Sequence, residues 1–230
     1  MDGRELHFHL AGINNQNFLM RDEETGSYWQ QINGTAIAGS LKGRKLTLVP
    51  QDELSFALWR KEEPNGTVLA PLPRYAGKYE KATWETEYAK LPTVIHGPKG
   101  TLPDRETIIG IVNNGEAKAY PVANLTAQSP LVLDVVGNQP IMLAVGPDGK
   151  SVRVFSRQVG GRSLDFYSRS ATSSSDPWAL VDISTLSEWG FDGCANSGEF
   201  KGQCLTRIDS LKDYWFDWQN YHPHTAIYRH

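Results

Sequence analysis

The chain has 230 residues and a formal net charge of −3, and 21% of its residues are charged. This composition is typical of a globular protein with a sizeable core, and it excludes a disordered or fibrous chain. The sequence contains no basic cluster, which argues against nucleic acid as a partner, because phosphate contacts need concentrated Lys and Arg. No apolar run approaches the roughly 20 residues that span a bilayer, so no transmembrane segment is predicted.

A first strand is predicted at residues 4–10, where polar and apolar side chains alternate. A period of two places one set of side chains on the core face, and this set is Leu6, Phe8 and Leu10. The opposite face carries His7 and His9. Two histidines at this spacing are either half of a zinc or copper site that needs further ligands, or two solvated side chains on a strand.

The next elements are predicted to be a turn, a hairpin and a short helix. The Asp22 carboxylate caps an acidic turn in which Gly26 adopts a positive φ. Residues 35–49 are predicted to form two short strands with a glycine-containing loop between them. Residues 52–61 are predicted to form a short helix that ends before the next proline.

The middle of the chain contains a proline-rich stretch and then the clearest β pattern. Residues 71–105 are predicted to be an ordered connector over two halves, with one helical turn at 84–88. An Asn-Gly turn after 108–112 predicts a β-hairpin. The later predictions are strands at 131–135, 141–145 and 151–155, a helical turn at 121–125, a polar loop at 168–176 and an aromatic-rich helix at 210–218.

An eight-residue skeleton, Asp-x-x-Thr-x-Ser-x-Trp, occurs twice in the chain, and matches continue on both sides at separations of 158 to 160 residues. Such self-similarity indicates an internal repeat. We therefore predict a mainly β fold (β-rich α+β) of two pseudo-repeated halves, each with a short aromatic-rich helix. The skeleton residues are Asp22, Thr25, Ser27 and Trp29 in the first copy, and Asp182, Thr185, Ser187 and Trp189 in the second.

The repeat predicts three regions: a first copy at 1–70, the connector at 71–105 and a complete second copy at 106–230. In the second copy, the strands predicted between residues 108 and 157 precede the repeated unit, and the first copy has no counterpart of them. Strands without neighbours expose unpaired backbone groups, which proteins rarely leave open. Three explanations follow: a natural chain that is longer at its N-terminus, another chain that supplies the strands, or a first copy that packs differently.

Cys194 and Cys204 are the only cysteines, and the glycines between them suit a hairpin that brings the two sulfurs together. A disulfide in an oxidising compartment is the preferred interpretation, and two buried thiols are the alternative. The spacing fits no standard zinc pattern. The first copy has Thr35 or Ala36 and Lys45 at the matching positions, so this pair belongs to one copy only.

Four segments carry a resemblance to a known family: residues 22–29, 39–46, 116–121 and the closing aromatic run at 215–223. Together they resemble a bacterial family known as domain of unknown function 3179. Relatives are usually predicted to be exported, and typically begin with a further segment containing a Cys-Pro-x-Cys pair, which this chain lacks. The resemblance implies a periplasmic or extracellular location and no established activity.

The sequence has no signal-peptide pattern, so the chain is either cytoplasmic or numbered from a point after processing or truncation. The resemblance and the cysteine pair favour the second explanation. The sequence contains no Gly-x-Ser-x-Gly elbow and no phosphate-binding glycine loop, so enzymatic activity is left open. The leading hypothesis is a non-catalytic binding or structural module whose N-terminal strand edge is covered by another protein chain in a homo- or hetero-oligomer.

The alternative hypothesis is a metal-binding protein or metalloenzyme, and no other cofactor is expected. Imidazole and carboxylate groups are the ligands that zinc and copper prefer in proteins. Carboxylates such as Asp22 and Asp182 would complete such a site. The candidate histidines are His7, His9, His222, His224 and His230.

Overall fold

The computed structural model describes residues 3–14, 17–95, 101–125, 130–170 and 178–229. Strands make up 38% of the chain and helical residues 13%, which confirms the predicted mainly β class. Within the described ranges the strands form several small sheets rather than one large one. No helix there is long and apolar enough to cross a membrane.

The strands are numbered in chain order. They are β1 (Phe8–Asn14), β2 (Asn17–Asp22), β3 (Tyr28–Gln30), β4 (Ala36–Ala38), β5 (Thr107–Asn113), β6 (Glu116–Pro121), β7 (Leu131–Val136), β8 (Gln139–Val145), β9 (Val152–Ser156), β10 (Gln158–Val159), β11 (Arg162–Ser163), β12 (Phe166–Ser170), β13 (Trp178–Asp182), β14 (Glu188–Trp189), β15 (Ser210–Tyr214) and β16 (Ala226–Ile227).

Two sheets have closely similar topology. The N-terminal sheet has the order β1-β2-β3-β4 and the second has the order β12-β13-β14, and both are antiparallel. Phe8 pairs with Asp22 in the first, as Phe166 pairs with Asp182 in the second. The strand predicted at residues 4–10 in fact begins at Phe8 and continues to Asn14, because this is the range over which it pairs with β2.

The remaining sheets contain the strands predicted in the middle of the chain. β7, β8 and β9 form an antiparallel meander, β10 and β11 form a short ladder, and the order β15-β5-β6-β16 forms a mixed sheet. The β5–β6 hairpin turns at Asn114 and Gly115, which both have positive φ, as their Asn-Gly sequence predicts. Of the polar loop predicted at 168–176, the first three residues belong to β12, and residues 171–176 lie outside the described ranges.

The helices are short. They are α1 (Phe56–Glu62), α2 (Trp84–Tyr88) and α3 (Trp215–Tyr221), with 3₁₀ turns at Pro73–Lys78 and Val122–Asn124. Helix α1 begins later than predicted because the Ser55 hydroxyl caps it, accepting a hydrogen bond from the Leu58 N–H at 3.3 Å.

The helix predicted at 210–218 is wrong over its first five residues. These residues form β15, which pairs with β5 along its whole length, and α3 begins only at Trp215. Leu211 and Tyr214 therefore do not share a helical face with Trp215 and Trp218. The predicted connector is a surface segment, because residues 71–92 are exposed throughout.

The largest core cluster lies between β8–β9 and the sheet β12–β14. It includes Met142, Phe155, Leu164, Phe166 and Trp189, which are at most 4% exposed. A second cluster lies between the β5–β6 hairpin and the β7–β9 meander, and a third packs α3 on the outer side of β5 and β6. The third cluster requires glycine at position 110, because a Cβ there would lie 2.3 Å from the Trp218 ring.

The first repeated motif closes a turn around a buried carboxylate. Asp22 accepts hydrogen bonds from the Thr25 backbone N–H at 2.5 Å, the Thr25 hydroxyl at 2.9 Å and the Trp29 indole N–H at 2.8 Å. Burial alone would raise the pKa of Asp22, but these hydrogen bonds hold it below its ordinary value. The Ser27 hydroxyl accepts the Leu41 N–H at 3.1 Å, which fastens the turn to the following loop.

The second motif makes the same set of hydrogen bonds. Asp182 accepts the Thr185 N–H at 2.7 Å, the Thr185 hydroxyl at 2.8 Å and the Trp189 indole N–H at 3.1 Å. The Ser187 hydroxyl accepts the Phe200 N–H at 3.3 Å. Both carboxylates are fully buried, so each turn depends on a charged group whose partners all come from its own motif.

The substitution Asp182→Asn will lower the free energy of unfolding by about 2–3 kcal/mol, because an amide nitrogen would face N–H donors in a buried site. Urea denaturation monitored by tryptophan fluorescence measures this change. Asp209→Asn is the control, since Asp209 is exposed, and it should change stability by less than about 0.5 kcal/mol. Equal stability of Asp182→Asn and the wild type would show that the buried carboxylate is dispensable.

Candidate functional site

The candidate site is one face of the N-terminal sheet. Strand pairing places Phe8, Leu10 and Ile13 of β1 on the same side as Phe18 and Met20 of β2, because directly paired residues share a face. Met20 in turn pairs with Trp29 of β3. We call this set, Phe8, Leu10, Ile13, Phe18, Met20 and Trp29, the N-terminal face.

The corresponding face of the sheet β12–β14 is covered. Phe166, Leu180 and Trp189 are at most 4% exposed, and they pack in one cluster with Met142 of β8 and Phe155 of β9. The Phe166 and Trp189 rings meet edge to face, with centroids 5.8 Å apart. A second layer of sheet therefore completes the core on this side.

The N-terminal face is only half covered. Trp29 is buried and meets Phe8 edge to face at 5.8 Å, the same arrangement as in the covered sheet. However, Leu10, Ile13 and Phe18 are 58%, 69% and 51% exposed. The prediction that Leu10 lies in the core is therefore wrong in this structure, because core burial requires a second layer and none of the described residues supplies one over Leu10.

Side chains beside this face show the same difference. Leu6, Leu41 and Leu46 are all partly exposed. Their counterparts at the repeat separation are Leu164, Phe200 and Leu205, which are at most 5% exposed. The first half therefore carries an apolar surface at the positions where the second half carries its core.

Helix α1 and the residues before it fasten the first half to the second. Arg153 of β9 donates to Asp52 at 2.6 Å and to Glu62 at 2.7 Å. Burial alone would lower the pKa of Arg153, but these two carboxylates raise it above its ordinary value. Leu58 packs into the largest core cluster. The N-terminal half is thus held by ion pairs to the buried Arg153 side chain and by one apolar anchor.

A second junction joins the adjacent ends of β1 and β2 to α3. The Asn17 amide donates to the Asp217 carboxylate at 2.7 Å, and the Tyr221 hydroxyl donates to the Asn14 carbonyl at 3.3 Å. Asp213, at the end of β15, lies near Asp217. Burial and the negative charge of Asp217 raise the pKa of Asp213 to about 7, and burial also raises the pKa of Asp217.

We expect the protein to lose stability between about pH 4 and pH 7, because the folded-state pKa of Asp213 lies above that of the unfolded chain. The protonated carboxyl is the stable form, so its contribution is complete below about pH 4 and is lost as the pH rises through 7. Asp213→Asn should remove this slope and raise stability at pH 8 by on the order of 2 kcal/mol.

Urea denaturation of both proteins at several pH values measures this effect. Asp209→Asn is the matched control, because it removes an exposed carboxylate four residues earlier and should leave the slope unchanged. A parallel pH dependence in Asp213→Asn and the wild type would contradict the assignment.

The candidate metal-binding histidines lie in different surroundings. His7 Nδ1 lies 2.6 Å from Glu24 Oε1, and this hydrogen bond raises the pKa of His7. His9 is exposed, and its Nδ1 lies 3.9 Å from a carboxylate oxygen of Glu23. The His222 ring packs on Trp218 with centroids 4.1 Å apart, and burial lowers its pKa.

His224 is exposed, and His230 lies outside the described residues. Among the side chains that the structure does describe, no group of three or more His, Cys, Asp or Glu is placed to hold a metal ion. Asp22 and Asp182, suggested as further ligands, bind their own turns instead. The hypothesis that histidines bind a metal ion therefore stays a prediction, and His230 remains one of its candidate ligands.

Cys194 and Cys204 lie at disulfide-bonding distance and face each other across an antiparallel bridge. Thr35 and Lys45 form the matching antiparallel bridge in the first half. The disulfide thus links two positions that are already paired through the backbone.

Sequence reasoning missed the junction around Asp213, Asp217 and Asn17. One signal was present, because Asp217 interrupts an otherwise aromatic stretch at 214–218. A carboxylate in such a stretch needs a partner when the helix is buried. The identity of that partner could not be read from the sequence, since Asn17 lies 200 residues away.

Comparison with known families gives one match. The family model described as "Protein of unknown function (DUF3179)" matches residues 1–225. This range contains both repeated motifs and the complete N-terminal face. No curated protein and no solved structure matches the chain.

Proposed function

Because the chain belongs to the DUF3179 family of proteins of unknown function, we propose its role from its own surface. We propose that it is a non-catalytic, extracytoplasmic module that docks on another protein chain through the N-terminal face. The observation that carries this proposal is the difference between two matching faces: Phe166, Leu180 and Trp189 lie under a second sheet, whereas much of the N-terminal face is exposed.

Exposed apolar patches on soluble proteins mark interaction surfaces when the residues are contiguous. Ile13 and Phe18 are direct neighbours across the β1–β2 ladder, and Leu10 pairs with Met20 on the same face. Burial of a fully exposed Leu, Ile or Phe side chain contributes about 1.5–3 kcal/mol. Covering the three half-exposed side chains therefore favours docking by about 3 kcal/mol or more.

The polar groups of the repeated motifs support a structural role for those motifs. Asp22 and Asp182 each accept an indole N–H and the hydroxyl of the neighbouring Thr. A general base needs a lone pair directed at a substrate, and these carboxylates use theirs on their own turn.

The extracytoplasmic location is supported by the cysteine pair, because disulfides persist in oxidising compartments. Protein isolated from its source without reductant should resist alkylation by iodoacetamide. The double substitution of Cys194 and Cys204 by Ser should lower the free energy of unfolding by about 2–3 kcal/mol, as expected for a closed loop of this size.

The matched control replaces Thr35 and Lys45 by Ser, since these residues occupy the equivalent bridge in the first half. This control should cost less than about 1 kcal/mol, because no covalent link is lost. Rapid alkylation of both cysteines in the isolated protein would argue against an oxidising compartment.

Docking can be tested by native mass spectrometry of the tagged full chain recovered from its source. We expect a stoichiometric complex with a second protein. The double substitution Ile13→Ser and Phe18→Ser should reduce the recovered complex by about tenfold or more, because it removes at least 1.4 kcal/mol of apolar contact.

The control is Ile183→Ser with Leu186→Ser, which removes two side chains that are 60% and 65% exposed in the second motif's turn. This variant should retain the complex. Recovery of the wild type only as a lone tagged chain, with no second protein bound, would overturn the proposed docking function.

A further inference from the structure

The segment after β4 has a counterpart that pairs with β9. In the second half, the Ser156 N–H donates to the Thr206 carbonyl at 2.8 Å, and the Ile208 N–H donates to the Val154 carbonyl at 3.0 Å. Residues 206–208 thus run antiparallel to β9, with Arg207 opposite Phe155. This short ladder closes the edge of the β7–β9 meander.

The first half has the equivalent backbone hydrogen bond immediately before the matching segment. The Leu46 N–H donates to the Gly34 carbonyl at 2.9 Å, and its counterpart, the Leu205 N–H, donates to the Gly193 carbonyl at 2.9 Å. The next residues in the first half are 47–49, which match 206–208 at the repeat separation. We call residues 47–49 the edge segment.

The edge segment makes no backbone ladder with any other residue that the structure describes. Leu48 and Val49 are 46% and 78% exposed. Its sequence, Thr-Leu-Val, favours a strand, because β-branched and large apolar residues suit a pleated surface. Proteins usually protect an open edge with charge, proline or a bulge. Leu48 and Val49 carry no charge, and Pro50 ends the segment directly after them.

We propose that the edge segment is the strand-pairing part of the docking surface. A β-strand from a different protein chain adds to it in antiparallel orientation, at the place that β9 occupies in the second half. The sheet behind that strand then covers the N-terminal face, as β8 and β9 cover the second motif. This inference rests on the proposed docking function and specifies how the partner binds.

The second half also indicates the chemistry of the partner strand. Phe155 is fully buried and directed into the core, and Val154 is 1% exposed. Met142 and Ala144 of the neighbouring strand point into the same cluster as Phe155. The partner is therefore expected to carry a large apolar residue opposite Leu48, and a neighbouring strand with apolar residues on its inner face.

A second copy of this chain is a poor source of that strand. Its own β9 already pairs with residues 206–208 and is fastened to the first half through Arg153. Releasing β9 would expose Phe155, at a cost of several kcal/mol, and would break the ion pairs of Arg153 with Asp52 and Glu62. Of these two sources, a second copy and a different protein, the structure therefore favours a different protein, as the proposed docking function requires.

The test compares two substitutions of Val49 in the edge segment. Val49→Pro removes the N–H that corresponds to the Ile208 donor in the β9 ladder. Val49→Ala is the matched control, because it also removes the Val49 side chain but keeps the N–H. Val49 is exposed and lies outside every strand that the structure describes, so both variants should fold.

The tagged full-length variants are recovered from the source, and the partner is quantified by native mass spectrometry. Val49→Pro should reduce the complex about tenfold relative to Val49→Ala, because one interchain hydrogen bond is lost. In the wild-type complex, hydrogen exchange of the Val49 amide should be slower than in the free chain by about 100-fold or more.

Each outcome decides between the two proposals. Equal losses or no loss in the two variants, with an unprotected Val49 amide, would overturn strand pairing and leave docking through the N-terminal face intact. Absence of any complex with the wild type would overturn both. Identification of the covering strand as part of a second copy of this chain, or as part of the same polypeptide outside residues 1–230, would overturn the assignment to a different protein.

Discussion

The fold depends on a buried carboxylate that is satisfied by its own turn. Moving a carboxylate out of water is unfavourable by several kcal/mol unless hydrogen bonds replace the lost solvent. In the second half, Asp182 receives the Trp189 indole N–H, and this contact fixes the indole ring on the inner face of the sheet. Phe166 and Phe200 then pack against that ring. One polar contact thus determines which face of the sheet becomes core.

The same contact in the first half explains how an incompletely covered sheet keeps its shape. The bonds between Asp22, Thr25 and Trp29 are made within eight residues, so they form without a second layer. The face they define is nevertheless apolar and remains exposed at Ile13 and Phe18. Local hydrogen bonding builds the surface, and burial of that surface needs another polypeptide layer. Local hydrogen bonds thus form the sheet while its apolar face stays available for binding, as the proposed docking module requires.

Much of the fold could be predicted because the signals are local. Turn residues such as Asn114 and Gly115, and the glycines near Cys194 and Cys204, act within a few positions of the chain. The failures arise from non-local contacts. The apolar spacing at 210–218 fits a helical period equally well, but pairing with β5, about a hundred residues earlier in the chain, makes the first five residues a strand. Local periodicity shows neither which strand a segment pairs with nor which layer covers a sheet face.

The edge segment is anchored at both ends by contacts within the chain itself. Three residues after it, Asp52 forms ion pairs with Arg153 and Arg207, and Leu58 then enters the main core. Immediately before it, Leu46 is fixed by its backbone hydrogen bond to Gly34. A segment anchored at both ends loses little conformational entropy when a strand pairs with it, and such preorganisation increases affinity without adding contacts. Under the docking proposal, the ion pairs of Arg153 position the edge segment as well as joining the two halves.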